Sequence, residues 1–378
     1  MTQITPHPAL QPATLRWTAA DLATLAQRDF DRAPVLGQTD VVRIGSDLDV
    51  WDAWPLADNA GNPVSWRGGE LWFALAAPAL DDPEERHGKA RIHTFHHVDG
   101  AFHHMGPTLP DGFSPGTREW SGSARIEGDE VALYFTAAGA RDEDRLSYRQ
   151  RLFVTRLHLG DGEEIFKGWS EPRELLAPGS GPYLAVEAAE GTIGEIKAFR
   201  DPFPWDLPDG RKILLFTASS KADPGPFNGM VGMALAGEDG TYNAVDPLID
   251  AVGTNNELER PHLVAANGRI YLFWSTQAKV FAPGCIAPTG LYGAVADNIE
   301  GTWQLLNGDG LIFANPVNEP FQTYSWWVMP DLRVTSFVDY WGVDDPAAEA
   351  KPHGRAHFGG TFAPFLHLTL DGATAGLA

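Results

Sequence analysis

The chain has 378 residues, 43% of them hydrophobic, which is enough to bury a large core. Its formal net charge of −22 argues against nucleic acid and anionic membrane surfaces as partners, whereas an uncharged sugar meets no such repulsion. Cys285 is the single cysteine, so neither an intrachain disulfide nor a cysteine metal cluster can form.

We expect the N-terminal region to lack a secretory signal and to contain one helix. It has no basic segment followed by an apolar run, which predicts no secretory signal, and no stretch approaches the roughly 18 apolar residues of a membrane span. We therefore expect a soluble protein. Thr18 can cap a helix from Ala19 to Gln27, and Asp21 three residues later completes an approximate capping pattern.

Strand signals dominate the rest of the chain. Short runs of aromatic and β-branched residues are separated by turn dipeptides such as Asp99-Gly100, Asp209-Gly210 and Asn267-Gly268. No helix of about ten residues alternates with these runs, which argues against a parallel α/β sheet and leaves a sandwich, a barrel or a propeller. The predicted strands are LWFALAA (71–77), VALYFTA (131–137), RLFVTRL (151–157), KILLFTA (212–218), RIYLFWS (269–275) and LRVTSFV (332–338).

Five polar and aromatic segments recur along the chain at intervals of roughly 60–80 residues. A propeller blade takes four strands, and this length divides into five such units. We therefore expect an all-β, five-bladed β-propeller that forms a single domain over residues 1–378. The segments contain Asp52, Trp120, Asp201, Glu259 and Tyr324.

The first segment, VWDAWPL at residues 50–56, places Asp52 between two tryptophans. Burying a carboxylate there is costly unless it is used or fully hydrogen-bonded. Asp52 could attack the anomeric carbon of a sugar while Trp51 or Trp54 forms an apolar wall. The alternative is an aspartate that caps a turn beside ordinary core tryptophans.

The second and third segments contain further polar candidates. In REWSGS at residues 118–123, Ser121 could hydrogen-bond a carboxylate, although a plain hairpin turn explains the segment equally well. In FRDP at residues 199–202, Arg200 would keep Asp201 ionised, as holding sugar hydroxyls requires. A surface ion pair is the alternative there.

The fourth segment, NNELERPHLV at residues 255–264, carries two glutamates. In a strand, Glu257 and Glu259 would project from the same face, and their repulsion would leave one protonated to higher pH. A protonated carboxyl opposite an ionised one is what glycoside cleavage needs. The fifth segment, QTYSWWVM at residues 322–329, is typical of a sugar-binding rim and equally of a packed blade.

Taken together, the segments VWDAWPL, EWSGSA, FRDP, ELERPH and QTYSWWVM, with VTSFVD downstream, resemble glycoside hydrolase family 68, the levansucrases and related β-fructosyltransferases. The resemblance runs in order from Trp51 to about Ala363. It implies a five-bladed propeller with an axial active-site pocket. It also implies cleavage of sucrose and transfer of the fructosyl group to sugar or fructan acceptors or to water, with retention through a covalent fructosyl-enzyme.

The resemblance also implies roles for individual residues. Asp52 would be the nucleophile, Asp201 the transition-state stabiliser, and Glu259 the general acid that protonates the departing glucose and then the base that activates the acceptor. The residues expected to bind substrate are Trp51, Trp120, Ser121, Arg200, Glu257, Arg260, Gln277 and Tyr324.

Three positions depart from the family pattern. Thr217 stands where a glutamate is usual, and Gln277 stands where an arginine or histidine faces the departing glucose. We place both on the acceptor side, where they leave cleavage plausible and weaken the expectation of long polymers. Asn256 replaces an aspartate that helps to bind calcium in some members, so we expect no metal and no other cofactor. The cluster of His93, His96, His97, His103 and His104 predicts no metal site either, because alternation spreads neighbours over both faces of a hairpin.

Other hypotheses remain open at this point. The close rival is a β-fructofuranosidase of the same fold that mainly hydrolyses sucrose or makes only short oligosaccharides. A non-catalytic carbohydrate-binding propeller and a metal-dependent hydrolase are the more distant alternatives. The resemblance favours export by a route without a cleaved signal, and a cytoplasmic protein is the alternative.

Overall fold

The computed structural model describes residues 10, 12–160, 165–187, 196–223, 225–343 and 351–378. Its N-terminal segment contains β1 (Leu15–Arg16), a short α-helix (Ala19–Leu22) that continues as a 3-10 helix (Ala23–Gln27), and β2 (Asp31–Arg32). Both the backbone N–H and the hydroxyl of Thr18 donate to Asp21 Oδ2 at 2.7 Å, which forms the start of the helix. Within the described residues, no helix is long and apolar enough to cross a membrane.

The strands of the described chain form five blades, whose successive strands pair antiparallel. Blade 1 contains β3 (Leu48–Ala57), β4 (Ser65–Trp66), β5 (Gly69–Pro78), β6 (Arg91–Val98) and β7 (Ala101–Pro107). Blade 2 contains β8 (Arg118–Glu127), β9 (Glu130–Ala138), β10 (Gln150–Leu159), β11 (Phe166–Lys167) and β12 (Arg173–Leu176).

The remaining blades follow the same order. Blade 3 contains β13 (Phe199–Asp206), β14 (Lys212–Ser219), β15 (Gly229–Ala236), β16 (Tyr242–Ala244) and β17 (Ile249–Asp250). Blade 4 contains β18 (Glu259–Ala266), β19 (Arg269–Thr276), β20 (Gly290–Ala296), β21 (Gln304–Leu305) and β22 (Leu311–Ala314). Blade 5 contains β23 (Thr323–Val328), β24 (Arg333–Tyr340), β25 (Phe358–Phe362), β26 (Leu366–Asp371) and β27 (Thr374–Leu377). Short 3-10 helices occupy Pro83–Gly88, Ala278–Val280, Leu306–Gly308 and Lys351–Ala356.

The second strand of each blade accounts for most of the predicted strands. The runs at 71–77, 131–137, 212–218, 269–275 and 332–338 lie in β5, β9, β14, β19 and β24, and the run at 151–157 lies in β10. These strands are buried on both faces because neighbouring blades pack against them, which explains why they are almost continuously apolar. The predicted strands and the five-bladed propeller are confirmed.

The first strands of the five blades meet around one axis. β3 contacts β8, β8 contacts β13, β13 contacts β18, β18 contacts β23, and β23 returns to β3. Each of these strands has a register shift against the second strand of its blade, between Trp51 and Trp54 in β3 and at the matching place in the others. Such β-bulges re-aim the side chains that they contain. The bulges have positive φ at Asp52 (51°), Asp201 (63°), Arg260 (53°) and Ser325 (61°).

Ion pairs join blade 5 to blade 1. The carboxylate of Asp49 is fully buried and accepts from Arg355 Nη1 and Nη2, both at 2.7 Å, and from Arg43 Nη2 at 2.9 Å. Arg333 of β24 pairs with Glu70 of β5 at 2.9 Å. These contacts close the ring at the seam between the last and the first blade.

The N-terminal segment runs along the outer edges of two blades. β1 pairs parallel with β17 in blade 3, and β2 pairs parallel with β22 in blade 4. Between them, the buried Trp17 donates its indole N–H to the carbonyl of Asp309 at 2.9 Å, and Arg28 pairs with the Asp309 carboxylate at 2.7 Å. The segment therefore ties blades 3 and 4 together from outside.

Candidate functional site

The bulged ends of the inner strands bring the candidate carboxylates into one electrostatic group. Asp201 is buried, Asp52 is half-buried, and 19% of the Glu259 side chain is exposed. The guanidinium of the buried Arg260 interacts electrostatically with all three of them. Acids from blades 1, 3 and 4 therefore lie within electrostatic reach of one arginine.

Arg260 also makes hydrogen bonds to three other blades. Its Nη2 donates to the carbonyl of Ala53 at 2.6 Å, and its Nη1 donates to Ser325 Oγ at 2.8 Å. Its backbone N–H donates to Asp201 Oδ2 at 3.2 Å. One residue of blade 4 thus fixes the bulges of blades 1, 3 and 5 relative to each other.

Asp52 is oriented by a neighbour from blade 2. The hydroxyl of Ser121 donates to Asp52 Oδ2 at 2.6 Å, which is the contact that the sequence suggested for this serine. In turn, the carbonyl of Ser121 accepts from Thr136 Oγ1 at 3.0 Å. A hydrogen bond to one carboxylate oxygen stabilises the ionised form and fixes its orientation, as a nucleophile needs.

Asp201 is held by a hydroxyl and two backbone groups. Thr217 Oγ1 donates to its Oδ2 at 2.7 Å, and its own backbone N–H donates to Thr136 Oγ1 at 2.9 Å. Burial raises the pKa of Asp201 to about 6, although the charge of Arg200 acts in the opposite direction. The hydroxyl of Thr217 thus contacts the proposed stabiliser, and its expected place on the acceptor side stays a prediction.

Arg200 bridges the two glutamates of the fourth segment. Its Nη2 lies 2.8 Å from Glu259 Oε1 and 3.3 Å from Glu257 Oε1, and Tyr324 donates its hydroxyl to Glu259 Oε2. Burial, followed by the charge of Glu259, raises the pKa of Glu257 to about 7. Glu257 therefore keeps its proton to higher pH, mainly because it is buried, and the predicted repulsion by Glu259 adds to this effect.

The reason given for pairing the two glutamates needs correction. The strand begins at Glu259, and Glu257 precedes it, so strand alternation does not place them on one face. Instead, the side chain of Asn255 accepts from the backbone N–H of Glu257 at 2.7 Å and holds a turn before the strand. The two carboxylates meet because Arg200 contacts both.

Tryptophans line the walls around the carboxylates. Trp51 is buried beside the ring of His87, with ring centroids 5.8 Å apart, and the guanidinium of Arg86 lies 5.4 Å from its ring. The guanidinium carbon of Arg260 lies 5.7 Å from the ring centroid of Trp54. Trp120 is 8% exposed, and its buried indole N–H has no hydrogen-bond partner among the described residues. An apolar face with an available N–H suits contact with a sugar ring.

Two other predicted features lie outside this group. Gln277 is half-buried at the end of β19, and in the described structure its side chain makes no hydrogen bond to Asp52, Asp201 or Glu259. Of the five clustered histidines, His93 and His104 contact each other at 2.7 Å across β6 and β7. The described residues contain no group of three His, Cys, Asp or Glu placed to hold a metal ion.

Sequence reasoning missed a second charged cluster beneath Trp51. Arg86 pairs with Glu84 at 2.9 Å, and the hydroxyl of Tyr340 donates to Glu84 at 3.0 Å. Nearby, burial raises the pKa of Asp339 to about 7. Asp339 ends the VTSFVD segment that carried part of the family resemblance, so its acidic residue was a usable signal.

Comparisons with known proteins agree over nearly the whole chain. The sequence profile of a family described as Levansucrase/Invertase, glycoside hydrolase family 68, matches residues 9–228 and 226–376. A levansucrase from Rahnella aquatilis is 28% identical, over 94% of this chain and 92% of that protein. An extracellular sucrase from Zymomonas mobilis is 30% identical, over 94% of this chain and 91% of that protein.

Solved structures give the same picture. The inulosucrase from Halalkalicoccus jeotgali bound to kestose superimposes with a TM-score of 0.85 at 34% identity, covering 97% of this chain and 95% of that one. The levansucrase from Gluconacetobacter diazotrophicus superimposes with a TM-score of 0.80 at 24% identity, covering 98% of this chain and 90% of that one, and shows the shared fold.

Proposed function

The chain belongs to glycoside hydrolase family 68, the levansucrase and invertase family, and on this basis we propose that it cleaves sucrose and transfers the fructosyl group to a sugar acceptor or to water. The observation that carries the proposal is the electrostatic group of Asp52, Asp201 and Glu259 around Arg260. Two carboxyls in different environments are what retaining glycoside cleavage requires.

In the first step, Asp52 attacks the anomeric carbon of the fructosyl unit. The glycosidic C–O bond breaks, its electrons go to the glucose oxygen, and Glu259 donates its proton to that oxygen. The hydroxyl of Tyr324 donates to Glu259 Oε2 and fixes the orientation of this carboxyl group for the transfer. Glucose leaves, and the fructosyl group is held as an ester of Asp52.

In the second step, ionised Glu259 takes a proton from an acceptor hydroxyl or from water, and the activated oxygen displaces Asp52. Arg200 Nη2 lies 2.8 Å from Glu259 Oε1 and holds the carboxylate in place for this step. Asp201 accepts hydrogen bonds from fructosyl hydroxyls, which stabilises the transition state. Two inversions at one carbon give net retention.

Substitution of the two acting carboxyls tests the proposal. Asp52→Asn and Glu259→Gln keep the side-chain shape, and we expect each to lower glucose release from sucrose by about 10³-fold or more, because the nucleophile or the proton donor is lost. Asp297→Asn is the matched control, since Asp297 lies on the surface in an exposed pair with Arg269. Near-normal turnover in either variant, with an unchanged thermal melt, would contradict the assigned roles.

Transfer and hydrolysis compete for the same intermediate. The relatives bear both names, levansucrase and extracellular sucrase. Measuring both sugars released from sucrose separates the two: free fructose equal to glucose means hydrolysis, and a deficit of fructose means transfer. No release of either sugar would favour the non-catalytic carbohydrate-binding alternative.

A further inference from the structure

The ammonium group of Lys197 lies in a cage of four uncharged oxygens. Its Nζ is 2.8 Å from the carbonyl of Gly225, 2.9 Å from that of Pro226, 2.6 Å from Asn228 Oδ1 and 2.8 Å from Asn256 Oδ1. An ammonium has three N–H donors, so the oxygens outnumber them. Carbonyl and amide oxygens that converge in this way are the ligand set of a hard cation.

The cage is built in advance of its occupant. Asn228 and Asn256 are buried, and the amide N–H₂ of Asn228 donates to the carbonyls of Ser220 and Asp223 at 3.0 and 2.6 Å. This leaves Asn228 Oδ1 free to face the ammonium. The backbone N–H of Asn256 donates to the carbonyl of Val280 at 3.0 Å, which fixes the segment that carries its side chain.

The residues of the cage are close in sequence to residues of the candidate site. Lys197 is three residues before Arg200, Asn256 immediately precedes Glu257, and Arg200 and Glu257 pair at 3.3 Å. Lys197 and Glu257 also attract each other electrostatically. Without the ammonium, the segment that carries Arg200 and the segment that carries Glu257 would lose this connection. Arg200 is the residue that links Glu257 to Glu259.

A bound metal ion does not fit this cage. Calcium needs oxygens at about 2.3–2.6 Å and six to eight of them, whereas Nζ occupies the centre at hydrogen-bond distances. None of the four caging oxygens is a carboxylate oxygen, whereas calcium sites in proteins commonly use carboxylates. An ammonium and a divalent ion cannot share the space.

We infer that Lys197 is an internal cation that takes the place of a bound metal ion, joining blade 3 to blade 4 and positioning Arg200 and Glu257 for the reaction. The chain supplies one positive charge at the end of a flexible stem, so the junction forms with folding and does not depend on metal in solution. Lys197 is a positioning residue, since it acts through Glu257 and touches no substrate.

The first test removes the charge. Lys197→Met keeps the apolar stem and leaves the four oxygens without their donor, and we expect the melting temperature to fall by about 4 °C or more. Lys221→Met is the matched control, because Lys221 is exposed and its ammonium contacts only the carbonyl of Gly179, at 3.2 Å, among the described residues. Equal melting temperatures for Lys197→Met and the unmodified protein would overturn the inference.

The second test separates positioning from a structural role. Burial and Glu259 raise the pKa of Glu257, and the charges of Arg200 and Lys279 lower it. Lys197 also attracts the ionised form of Glu257, so its loss should raise this pKa further and move the pH profile of glucose release upward. We expect a fall in kcat with little change in KM. A destabilised variant with an unchanged pH profile would limit Lys197 to stability and overturn its positioning role. This arm alone rests on the proposed sucrose reaction.

The third test restores a metal site without reference to sucrose. In the double variant Lys197→Ala and Asn256→Asp, the ammonium is gone and a carboxylate joins the three other oxygens, so millimolar calcium should raise the melting temperature by about 2–4 °C. The unmodified protein should melt at the same temperature with calcium and with EDTA. A calcium-dependent or EDTA-sensitive melt of the unmodified protein would overturn the inference, even if the proposed function holds.

Discussion

The hydroxyl of Thr217 lies between Asp201 Oδ2, at 2.7 Å, and the backbone N–H of Arg260, at 3.1 Å. It donates to the first and accepts from the second, so it links the acid of blade 3 to the bulge of blade 4. Thr217→Val keeps the shape and removes the hydroxyl. We predict a fall in kcat/KM for glucose release of tenfold to a hundredfold, about 1.5–3 kcal/mol for a hydrogen bond to a charged group.

The same variant changes the pH profile in a defined direction. The hydrogen bond from Thr217 favours ionised Asp201, so its loss raises the pKa of Asp201 above about 6 and shifts the acidic limb to higher pH. Thr217→Ser retains the hydroxyl and serves as the control. Activity of the valine variant equal to that of the serine variant would show that the hydroxyl is not used.

At the residue scale, the sequence predicted contacts that depend on one segment and missed those that depend on several. Asp52, Asp201 and Glu259 were found because each lies in a short segment of unusual composition. The contact of Thr217 follows from the register of the β13–β14 hairpin, which pairs it with Arg200. The turn at Asp209-Gly210 could have given that register. The oxygens around Lys197 come from two distant segments, and no local pattern announces them.

Among the elements, the junction between blades 5 and 1 contains one fully buried carboxylate, that of Asp49. Asp49→Asn leaves Arg355 and Arg43 beside a neutral group, and we predict a loss of about 3 kcal/mol in the free energy of unfolding, because breaking a buried ion pair leaves its partners uncompensated. Urea denaturation measures this loss. Asp331→Asn is the control, since its pair with Arg333 is half exposed and is worth at most about 1 kcal/mol. Equal midpoints for the two variants would contradict the prediction.

The elements differ in how well sequence predicts them. The second strand of each blade is buried on both faces, so its apolar run is visible in the sequence. The first strand carries the functional residues, a bulge and often a proline, as at Pro55, Pro202 and Pro261, and these features hide its strand character. The same features identify the first strand as a functional segment. They make the strand harder to predict and the site easier to find.

For the whole molecule, buried carboxyls set the dependence of stability on pH. Burial raises the pKa of Glu119, Glu257 and Asp339 to about 7 and that of Asp201 to about 6. Each group binds its proton more tightly in the folded state than in the unfolded state. Its contribution to stability is therefore complete below the ordinary pKa, 4.5 for the glutamates and 3.8 for the aspartates, and is lost as pH rises to about 7.

Other carboxyls set the lower limit. Ion pairs and hydrogen bonds lower the pKa of Glu70 and Glu84 to about 2, so the stability that they contribute is lost only as pH falls from about 4.5 toward 2. We predict a maximum of melting temperature near pH 5 and a decline toward pH 8, measured by scanning fluorimetry. Asp339→Asn should flatten the decline. A melting temperature that rises steadily from pH 5 to pH 8 would contradict the prediction.

At this scale, the strand and turn pattern predicted the all-β class, and the spacing of the segments together with the family resemblance predicted five blades, which is confirmed. The N-terminal segment was predicted only as a helix. Its two short strands add to the edges of blades 3 and 4, and strands of two residues carry no periodicity that a sequence can reveal.

Each of the five inner strands contains one bulge, so each blade contributes one. Asp52, Ser121, Asp201, Arg260 and Ser325 are joined by contacts that cross from blade to blade. A fragment with fewer blades cannot form all of these contacts. Separation of any two neighbouring blades would also break the set. The rate of sugar release from this protein therefore also reports whether the ring of blades is closed.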